Sequence, residues 1–198
     1  EEVFDRSTLM TIYDFLNKGT IDQIFGAVKA GKESKLYWGK DKQGNLLAIK
    51  IFLTISAEFK RGGMIPYIEG DRRFAKVRKD TRSLVFAWAQ KEFTNLKQAY
   101  AAGVNVPKPI AVRQNVLIME FIGNSGESAP VLRETEIKNP TRIYNKILDS
   151  MNKLYKNAKL VHGDLSEYNI MLWKNEPVIF DMSQAVPLEH PMADQLLR

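Results

Sequence analysis

HGDLSEYN, residues 162–169, is the stretch that decides the fold, and Asp181 in VIFDMS completes it further along the chain. An Asp, an Asn five residues on and a second Asp behind an apolar run are the residue types that hold magnesium on a nucleoside triphosphate and accept a hydroxyl proton. In this interpretation Asn169 and Asp181 are oxygen ligands for magnesium, and Asp164 deprotonates the incoming hydroxyl or water. His162 is assigned to structure, as a lone histidine that bonds the backbone of the loop. The pattern predicts the catalytic centre of a phosphoryl-transfer enzyme.

Composition narrows the class of protein. The 198 residues are 44% hydrophobic and 26% charged, which is typical of a globular protein, and they contain no apolar run of about 18 residues that would span a membrane. The absence of cysteine excludes disulfides and thiolate metal sites, and only two histidines disfavour a zinc centre. A net charge of +6 suggests polyanionic partners, either nucleotides or RNA, although a lysine-rich solvated surface is the alternative. With no secretory signal visible, we expect a cytoplasmic protein.

The N-terminal region is predicted to contain two short helical pieces. Ser7 is predicted to cap a helix that ends near Gly19 and whose apolar positions are Leu9, Tyr13 and Leu16. The spacing of Thr and Gln in residues 20–23 then predicts a further helical turn, by the capping-box pattern. Both pieces are interpreted as packing elements without chemistry of their own.

The loop GAVKAGKES, residues 26–34, nearly spells the phosphate loop of P-loop ATPases, but Glu33 stands where Ser or Thr is needed. The β-rich runs LYWG and LLAIKIF follow instead of a helix, which predicts a β-hairpin with a glycine-containing loop folded over it. Lys50 is the one charge in the second run. It is either a surface lysine at a strand edge or, sharing a face with Ala48, a cleft residue that reaches phosphate oxygens.

A predicted helix over residues 82–102 offers a partner for Lys50. Its buried stripe consists of Val85, Trp88, Ala89, Leu96 and Ala99. Glu92 lies on this stripe, and a carboxylate among apolar neighbours is costly unless it is paired. We therefore predict a Lys50–Glu92 ion pair.

The segment 57–82 joins the predicted strand to this helix and carries eight Lys or Arg against four Asp or Glu, a net +4. Its length predicts a mobile functional segment that closes over nucleotide or contacts an anionic partner through Arg72, Arg73, Lys76 and Arg78. A solvated insertion without function is the alternative.

The apolar run 116–122 is the predicted last strand of a first lobe. Backbone groups of Glu120 and Ile122 would pair there with an adenine edge, and an ordinary buried strand is the alternative. Asn139 and Pro140 then begin a helix that leads the chain to the catalytic stretch. The loop thus hangs from a rigid support, as a catalytic loop requires.

The sequence resembles protein kinases, and specifically the atypical RIO serine kinases and ATPases. The segments that carry the resemblance are KAGKESKLY, LAIKIF, YIEGDRRF, WAQKEFTNL, VPKPI, VLIMEFIG, LVHGDLSEYNI and IFDMSQAV. The basic insertion, and the lack of room for an N-terminal winged helix, resemble the archaeal-like RIO branch without that domain. The resemblance implies an α/β (α+β), two-lobed protein-kinase-like fold. Residues 1–122 would form a β-rich lobe, and residues 123–198 a helical lobe that lacks an activation segment and later helices.

The resemblance also implies the chemistry. It implies an ATP site between the lobes with Mg or Mn, serine-directed kinase activity and an ATPase function in maturation of the small ribosomal subunit. Asp164 would be the proton acceptor, Asn169 and Asp181 the metal ligands, and Asp181 in addition the nucleophile that becomes an aspartyl phosphate. The implied nucleotide contacts are Val28, Gly31, Lys32, Ala48, Lys50, Glu92, Met119, Glu120, Ile122 and Met171. The implied partners are the small-subunit precursor with its rRNA, and the protein itself in autophosphorylation, with no membrane and no DNA.

Two other functions are compatible with the motif. Small-molecule phosphotransferases of the aminoglycoside or choline type also use HGDxxxxN and a later Asp, but they need a large C-terminal helical lobe for the acceptor. An ATP-regulated protein that binds ribosomal RNA with little catalysis would bind nucleotide without transferring phosphate.

Overall fold

The structure is a computed structural model that describes residues 4–31, 33–54 and 63–197. Its helices are α1 Arg6–Asn17, α2 Ile65–Glu69, α3 Thr81–Ala101, α4 Pro140–Lys156 and α5 Ala193–Leu196. Its longer strands are β1 Gln23–Ala30, β2 Ser34–Lys40, β3 Leu46–Phe52, β4 Pro109–Arg113 and β5 Val116–Glu120. Shorter strands are β6 Gly123–Asn124, β7 Glu127–Ser128, β8 Leu160–Val161, β9 Ile170–Trp173, β10 Glu176–Ile179 and β11 Val186–Pro187. Lys32 and residues 57–62 of the predicted insertion lie outside the described residues.

The chain divides into two compact units that alternate along the sequence. The first unit contains the described parts of Glu1–Ile65, together with Lys76–Gln90 and Ile110–Ser128. The second unit contains Pro66–Ala75, Lys91–Pro109 and the described part of Ala129–Arg198. Helix α3 therefore contributes its first part to one unit and its second part to the other. The predicted domains 1–122 and 123–198 stay a prediction.

The first unit is built on a five-stranded sheet in the order β1-β2-β3-β5-β4. Strand β2 pairs antiparallel with both β1 and β3, and β3 pairs antiparallel with β5. The apolar face of β3 consists of Leu47, Ile49 and Ile51, which join Val116 and Ile118 of β5 in the core. This alternation places Ala48 and Lys50 on the opposite face, as the sequence predicts.

The predicted cap of the N-terminal helix is wrong. Helix α1 is capped by the side chain of Asp5, which accepts from the backbone N–H of Thr8 at 2.8 Å, rather than by Ser7. The helix buries Thr8, Thr11 and Phe15, whereas Leu9, Tyr13 and Leu16 are exposed. The hydroxyl of Thr8 is satisfied in the core because it accepts from Asn115 Nδ2 at 2.9 Å.

The predicted helical turn at residues 20–26 is also absent from the described chain. Residues 23–30 form strand β1 instead, so most of the predicted loop 26–34 is strand. Pairing of β1 with β2 provides sheet hydrogen bonds that the local capping-box pattern cannot outweigh. The turn between β2 and β3 is confirmed, because Asp41 accepts from the backbone N–H of Asn45 at 2.9 Å.

The second unit contains two small antiparallel pairs, β8 with β11 and β9 with β10. Helix α4 begins as predicted, because the Asn139 side chain accepts from the backbone N–H of Arg142 at 3.0 Å and Pro140 occupies the first turn. The helix leads through residues 157–159 into β8. Across the described part of the chain, the helices are too short or too polar to cross a bilayer.

Candidate active site

The stretch HGDLSEYN forms the loop between β8 and β9 and is held closed by one amide side chain. Asn169 is 6% exposed, and its Nδ2 donates to the carbonyl oxygen of Asp164. Its Oδ1 accepts from the backbone N–H of Ser166 at 2.8 Å, while its own N–H donates to the Ser166 carbonyl at 3.2 Å. Asn169 therefore fixes the loop conformation. The second lone pair of its Oδ1 remains for the predicted role of metal ligand.

The His162 side chain bonds the backbone around the loop, as predicted. The ring is 4% exposed, and its Nδ1 accepts from the backbone N–H of Asp164 at 3.3 Å. With Nδ1 an acceptor, Nε2 carries the proton and donates to the Phe180 carbonyl at 3.3 Å. Burial is the largest cause that lowers the pKa of His162 below its usual 6.5, so the neutral form is the structural one.

This burial of His162 predicts a pH-dependent stability. Below pH 6.5 the unfolded chain binds a proton on His162 that the folded protein does not bind, so the free energy of unfolding falls as the pH falls. Between pH 7.5 and 5.5 we expect a loss of about 1 kcal/mol from this residue, measured by urea unfolding of the wild type against His162→Gln. The carboxylates titrate in both proteins, so an equal pH dependence in the two would contradict the prediction.

Gly163 lets the loop approach the segment that follows Asp181. Its φ is +80°, a conformation that L side chains rarely adopt, and an added Cβ would lie 3.1 Å from the carbonyl oxygen of Gln184. Gln184 also places its Nε2 3.5 Å from Asp164 Oδ2. The HGDLSEYN loop and the residues after Asp181 are therefore neighbours within the second unit.

Asp164 presents its side chain at the surface of the loop, where an acceptor hydroxyl or water can reach it. Partial burial of the carboxyl is the first cause that raises its pKa, and the negative charge of Asp181 is the second. A raised pKa makes the carboxylate a stronger base, which suits the predicted role of proton acceptor.

Asp181 follows β10 and has a left-handed backbone, with φ 59° and ψ 63°. The residue before it, Phe180, donates its N–H to the Asn169 carbonyl at 3.0 Å, so the backbone next to Asp181 contacts the backbone of Asn169. Asp181 Oδ1 accepts from the hydroxyl of Ser183 at 2.8 Å. A carboxylate and an amide oxygen fit Mg²⁺, which is usually bound by one or two carboxylates, waters and substrate phosphates.

The predicted nucleotide contacts fall in both units. The first unit holds Val28, Gly31, Ala48, Lys50, Met119, Glu120 and Ile122. The second unit holds Glu92 and Met171. Lys32 lies outside the described residues. The structure places seven candidates in strands or a helix: Val28 in β1, Ala48 and Lys50 in β3, Met119 and Glu120 in β5, Glu92 in α3 and Met171 in β9. Gly31 directly follows β1, and Ile122 lies between β5 and β6.

Lys50 lies in an inner strand, which excludes the alternative of a surface lysine at a sheet edge. Strand β3 is flanked by β2 and β5, and Lys50 is opposite Leu36 and Leu117. Its Nζ is 4.9 Å from the centre of the Phe52 ring. Glu92 is 1% exposed, as its position on the buried stripe predicts. Because the two residues belong to different units, the Lys50–Glu92 pair stays a prediction.

Sequence analysis missed two residues on α3 that contact the turn after Asp181. Lys91 is fully buried and donates from Nζ to the carbonyls of Ser183 and Ala185. Asn95 is fully buried too and donates to Met182 and Ala185. The sequence signal that could have found them is a Lys and an Asn that share the helical spacing of the apolar stripe, because surface residues are not expected there.

Most of the chain is similar to known proteins. Residues 35–198 match the model of the RIO domain. The RIO-type serine/threonine-protein kinase Rio1 of Haloferax volcanii is 40% identical over 198 residues, which cover 100% of this chain and 67% of that protein. Rio1 of Methanocaldococcus jannaschii is 40% identical, with 99% of this chain and 66% of that protein covered. The chain thus spans about two thirds of the length of these relatives.

A solved structure shows the same fold. The Rio2 kinase–ADP/Mg²⁺–phosphoaspartate complex from Chaetomium thermophilum has a TM-score of 0.69 at 22% identity, and the alignment covers 94% of this chain and 55% of that one. This likeness confirms the predicted α+β, protein-kinase-like fold.

Proposed function

Because the chain belongs to the Rio1-type branch of the RIO family of serine/threonine-protein kinases, we propose that it transfers the γ-phosphoryl group of Mg-ATP. The acceptor is a serine hydroxyl, or Asp181 itself in an ATPase cycle. The observation that carries the proposal is the arrangement of the HGDLSEYN loop. It presents Asp164 at the surface and brings Asn169 beside the residue that precedes Asp181.

In the kinase reaction, Asp164 orients the serine hydroxyl and accepts its proton as the oxygen attacks the γ-phosphorus. The new O–P bond forms while the bridging bond to the β-phosphate breaks, and ADP leaves. Asn169 and Asp181 would hold the magnesium ion, which would neutralise charge on the phosphates when bound. The carboxylate of Asp181 is kept in place by the Ser183 hydroxyl at 2.8 Å.

In the ATPase reaction, a carboxylate oxygen of Asp181 attacks the γ-phosphorus. ADP departs, and an acyl phosphate remains on the Asp181 side chain. Water then attacks the phosphorus of this acyl phosphate, Asp164 accepts the proton, and inorganic phosphate is released. The Rio2 structure, which contains a phosphoaspartate with ADP and Mg²⁺, supports this route for the fold.

The nucleotide contacts of the proposed function are the residues that the family resemblance implies. Lys50, paired with Glu92, would contact phosphate oxygens, as the corresponding Lys–Glu pair does in protein kinases. The backbone of Glu120 and Ile122 would bind the adenine edge, and Val28, Ala48, Met119 and Met171 would line the ring. Gly31 and Lys32 would contact phosphates. Mn²⁺ would replace Mg²⁺, since both suit oxygen ligands.

The proposed setting is the cytoplasm, with the small-ribosomal-subunit precursor and its rRNA as partners and autophosphorylation as a side reaction. The net charge of +6 supports a polyanionic partner. Family membership favours this kinase and ATPase function over a small-molecule phosphotransferase.

Labelling with γ-³²P-ATP and Mg²⁺ tests the proposal. We expect the wild type to acquire a hydroxylamine-labile phosphate, which is the signature of an aspartyl phosphate, and Asp181→Asn to acquire none. Asp194→Asn is the matched control, because it neutralises an exposed carboxylate elsewhere in the second unit. Hydroxylamine-resistant label alone would favour seryl phosphorylation, and equal ATP turnover in the wild type and Asp181→Asn would refute the site.

A further inference from the structure

Two side chains of α3 hold the turn that follows Asp181. Lys91 and Asn95 are four residues apart and so lie on one face of the helix. Lys91 Nζ donates to the carbonyl of Ser183 at 3.1 Å and to that of Ala185. Asn95 Nδ2 donates at 2.8 Å to Ala185 and at 2.8 Å to Met182. Three carbonyls of one turn thus accept hydrogen bonds from one helix face.

The turn that these bonds hold contains the backbone of the predicted metal ligand. Asp181 has left-handed dihedral angles, which cost free energy for a residue with a side chain and persist only where the surroundings enforce them. The next three residues, Met182–Gln184, form a single 3-10 turn. Met182 and Ser183 are buried, so their carbonyls have no access to bulk water and depend on protein donors.

The segment Pro66–Ala75 bonds the side-chain oxygen of Asn95, through Arg73. Arg73 Nη2 donates to Asn95 Oδ1 at 2.8 Å and to Asp71 Oδ2 at 2.6 Å. The Asp71 side chain is fully buried, and its Oδ1 also accepts from Arg73 Nε at 2.9 Å. Arg73 therefore fixes the orientation of the Asn95 amide, with its oxygen towards the guanidinium and its NH₂ towards the turn.

These contacts place Arg73 in a different role from the other basic residues of the insertion. Its guanidinium is bonded to Asp71, Asn95 and, at 2.5 Å, to Gln98. Arg73 was predicted to contact an anionic partner, whereas the structure commits it to these protein acceptors.

We propose that Asn95 and Lys91, with Asn95 oriented by the Asp71–Arg73 pair, are positioning residues that set the metal affinity of Asp181 by fixing the turn behind it. This inference rests on the proposed function, in which Asp181 is a metal ligand. Groups that orient metal ligands typically change metal affinity by roughly 10- to 100-fold when they are removed. Asn95 and Lys91 touch neither nucleotide nor metal in this proposal, so nucleotide affinity without metal should not depend on them.

The experiment measures Mn²⁺ binding to the whole chain with ADP present, by electron paramagnetic resonance of free Mn²⁺. Asn95→Leu keeps the size of the side chain and removes both donors to the turn. We expect its Mn²⁺ dissociation constant to rise roughly 10- to 100-fold. ADP affinity in EDTA should stay within about twofold of the wild type, which a general loss of folding would not allow.

A second variant and a matched control keep the test independent of folding. Lys91→Met removes the other pair of donors together with a buried amine, and it is expected to weaken Mn²⁺ binding in the same direction while the thermal midpoint is retained. Gln98→Ala removes an exposed side chain one turn further along α3 that contacts the same Arg73. It should leave Mn²⁺ binding within about twofold of the wild type.

The outcomes separate this inference from the proposed function. Strong Mn²⁺ binding that Asp181→Ala abolishes, but that Asn95→Leu and Lys91→Met leave unchanged, would overturn the inference alone. Mn²⁺ binding that does not depend on Asp181 would overturn the proposed function and the inference with it. Weakened binding in both α3 variants, with the Gln98→Ala control unaffected, would establish the positioning role.

Discussion

Replacing Asp164 with Asn is expected to lower ATP turnover by about 10²- to 10⁴-fold, the usual contribution of a positioned general base. The substitution keeps the size of the side chain and removes its ability to accept a proton. Partial burial of the carboxyl and the charge of Asp181 raise the pKa of Asp164, which makes it a stronger base. Steady-state turnover with Mg-ATP at pH 7.5 measures the effect.

Nucleotide binding should distinguish this loss from a loss of folding. Asp164 does not hold nucleotide in the proposed mechanism, so ADP affinity in the Asp164→Asn variant should remain within a few-fold of the wild type. Glu167→Gln is the control, because Glu167 is an exposed carboxylate of the same loop. Turnover of Asp164→Asn within tenfold of the wild type, together with an inactive Asp181→Asn, would show that proton transfer does not depend on Asp164.

The β2–β3 hairpin and the face of β3 that Lys50 occupies could be predicted because their signals are local. Strict alternation places Leu47, Ile49 and Ile51 on the core face, and the turn between the strands begins at Asp41, whose side chain accepts from the backbone N–H of Asn45. The inner position of Lys50 in the sheet depends on pairing with β5, which lies far along the chain. The sequence could therefore predict the face that Lys50 occupies but not its place in the sheet.

Helix α1 shows why its buried face could not be predicted from polarity. Its apolar positions Leu9, Tyr13 and Leu16 keep helical spacing, yet the sheet covers the face with Thr8 and Thr11. Two threonines are buried at no great cost when their hydroxyls have partners, and the Thr11 hydroxyl donates to Gln114 at 2.9 Å. A partner more than 100 residues away leaves no trace in the local pattern.

The sequence could suggest catalytic residues in the HGDLSEYN loop because the proposed chemistry fixes their types, whereas it could not suggest the residues that support the turn after Asp181. Asp164, Asn169 and Asp181 follow from the needs of a magnesium–phosphate site. Lys91 and Asn95 act through the backbone carbonyls of a distant turn, and such acceptors are present at every residue. Only the burial of polar side chains at stripe positions distinguishes them, and burial follows from the fold.

Replacing Asp71 with Ala is expected to lower the free energy of unfolding by about 3 to 5 kcal/mol, the usual cost of breaking a buried ion pair from one side. The Asp71 side chain is 0% exposed, and that of Arg73 is 23% exposed, so the arginine would keep much of its desolvation without its carboxylate. Burial already lowers the pKa of Lys91 to about 7, while the charge of Asp71 acts to raise it. In the Asp71→Ala variant, Arg73 and Lys91 would therefore both remain poorly hydrated without the negative charge of Asp71.

An exposed ion pair of the first unit provides the control for Asp71. Asp14 lies 2.7 Å from Arg113, and their side chains are 33% and 46% exposed, so Asp14→Ala should cost about 0 to 1 kcal/mol. The double variant Asp71→Leu, Arg73→Met should recover most of the stability, because it removes both charges together. Urea unfolding at pH 7.5 and low salt measures all three proteins. A cost for Asp71→Ala no larger than that for Asp14→Ala would mean that the Asp71–Arg73 pair does not stabilise the second unit, and Asn95 would then need another support.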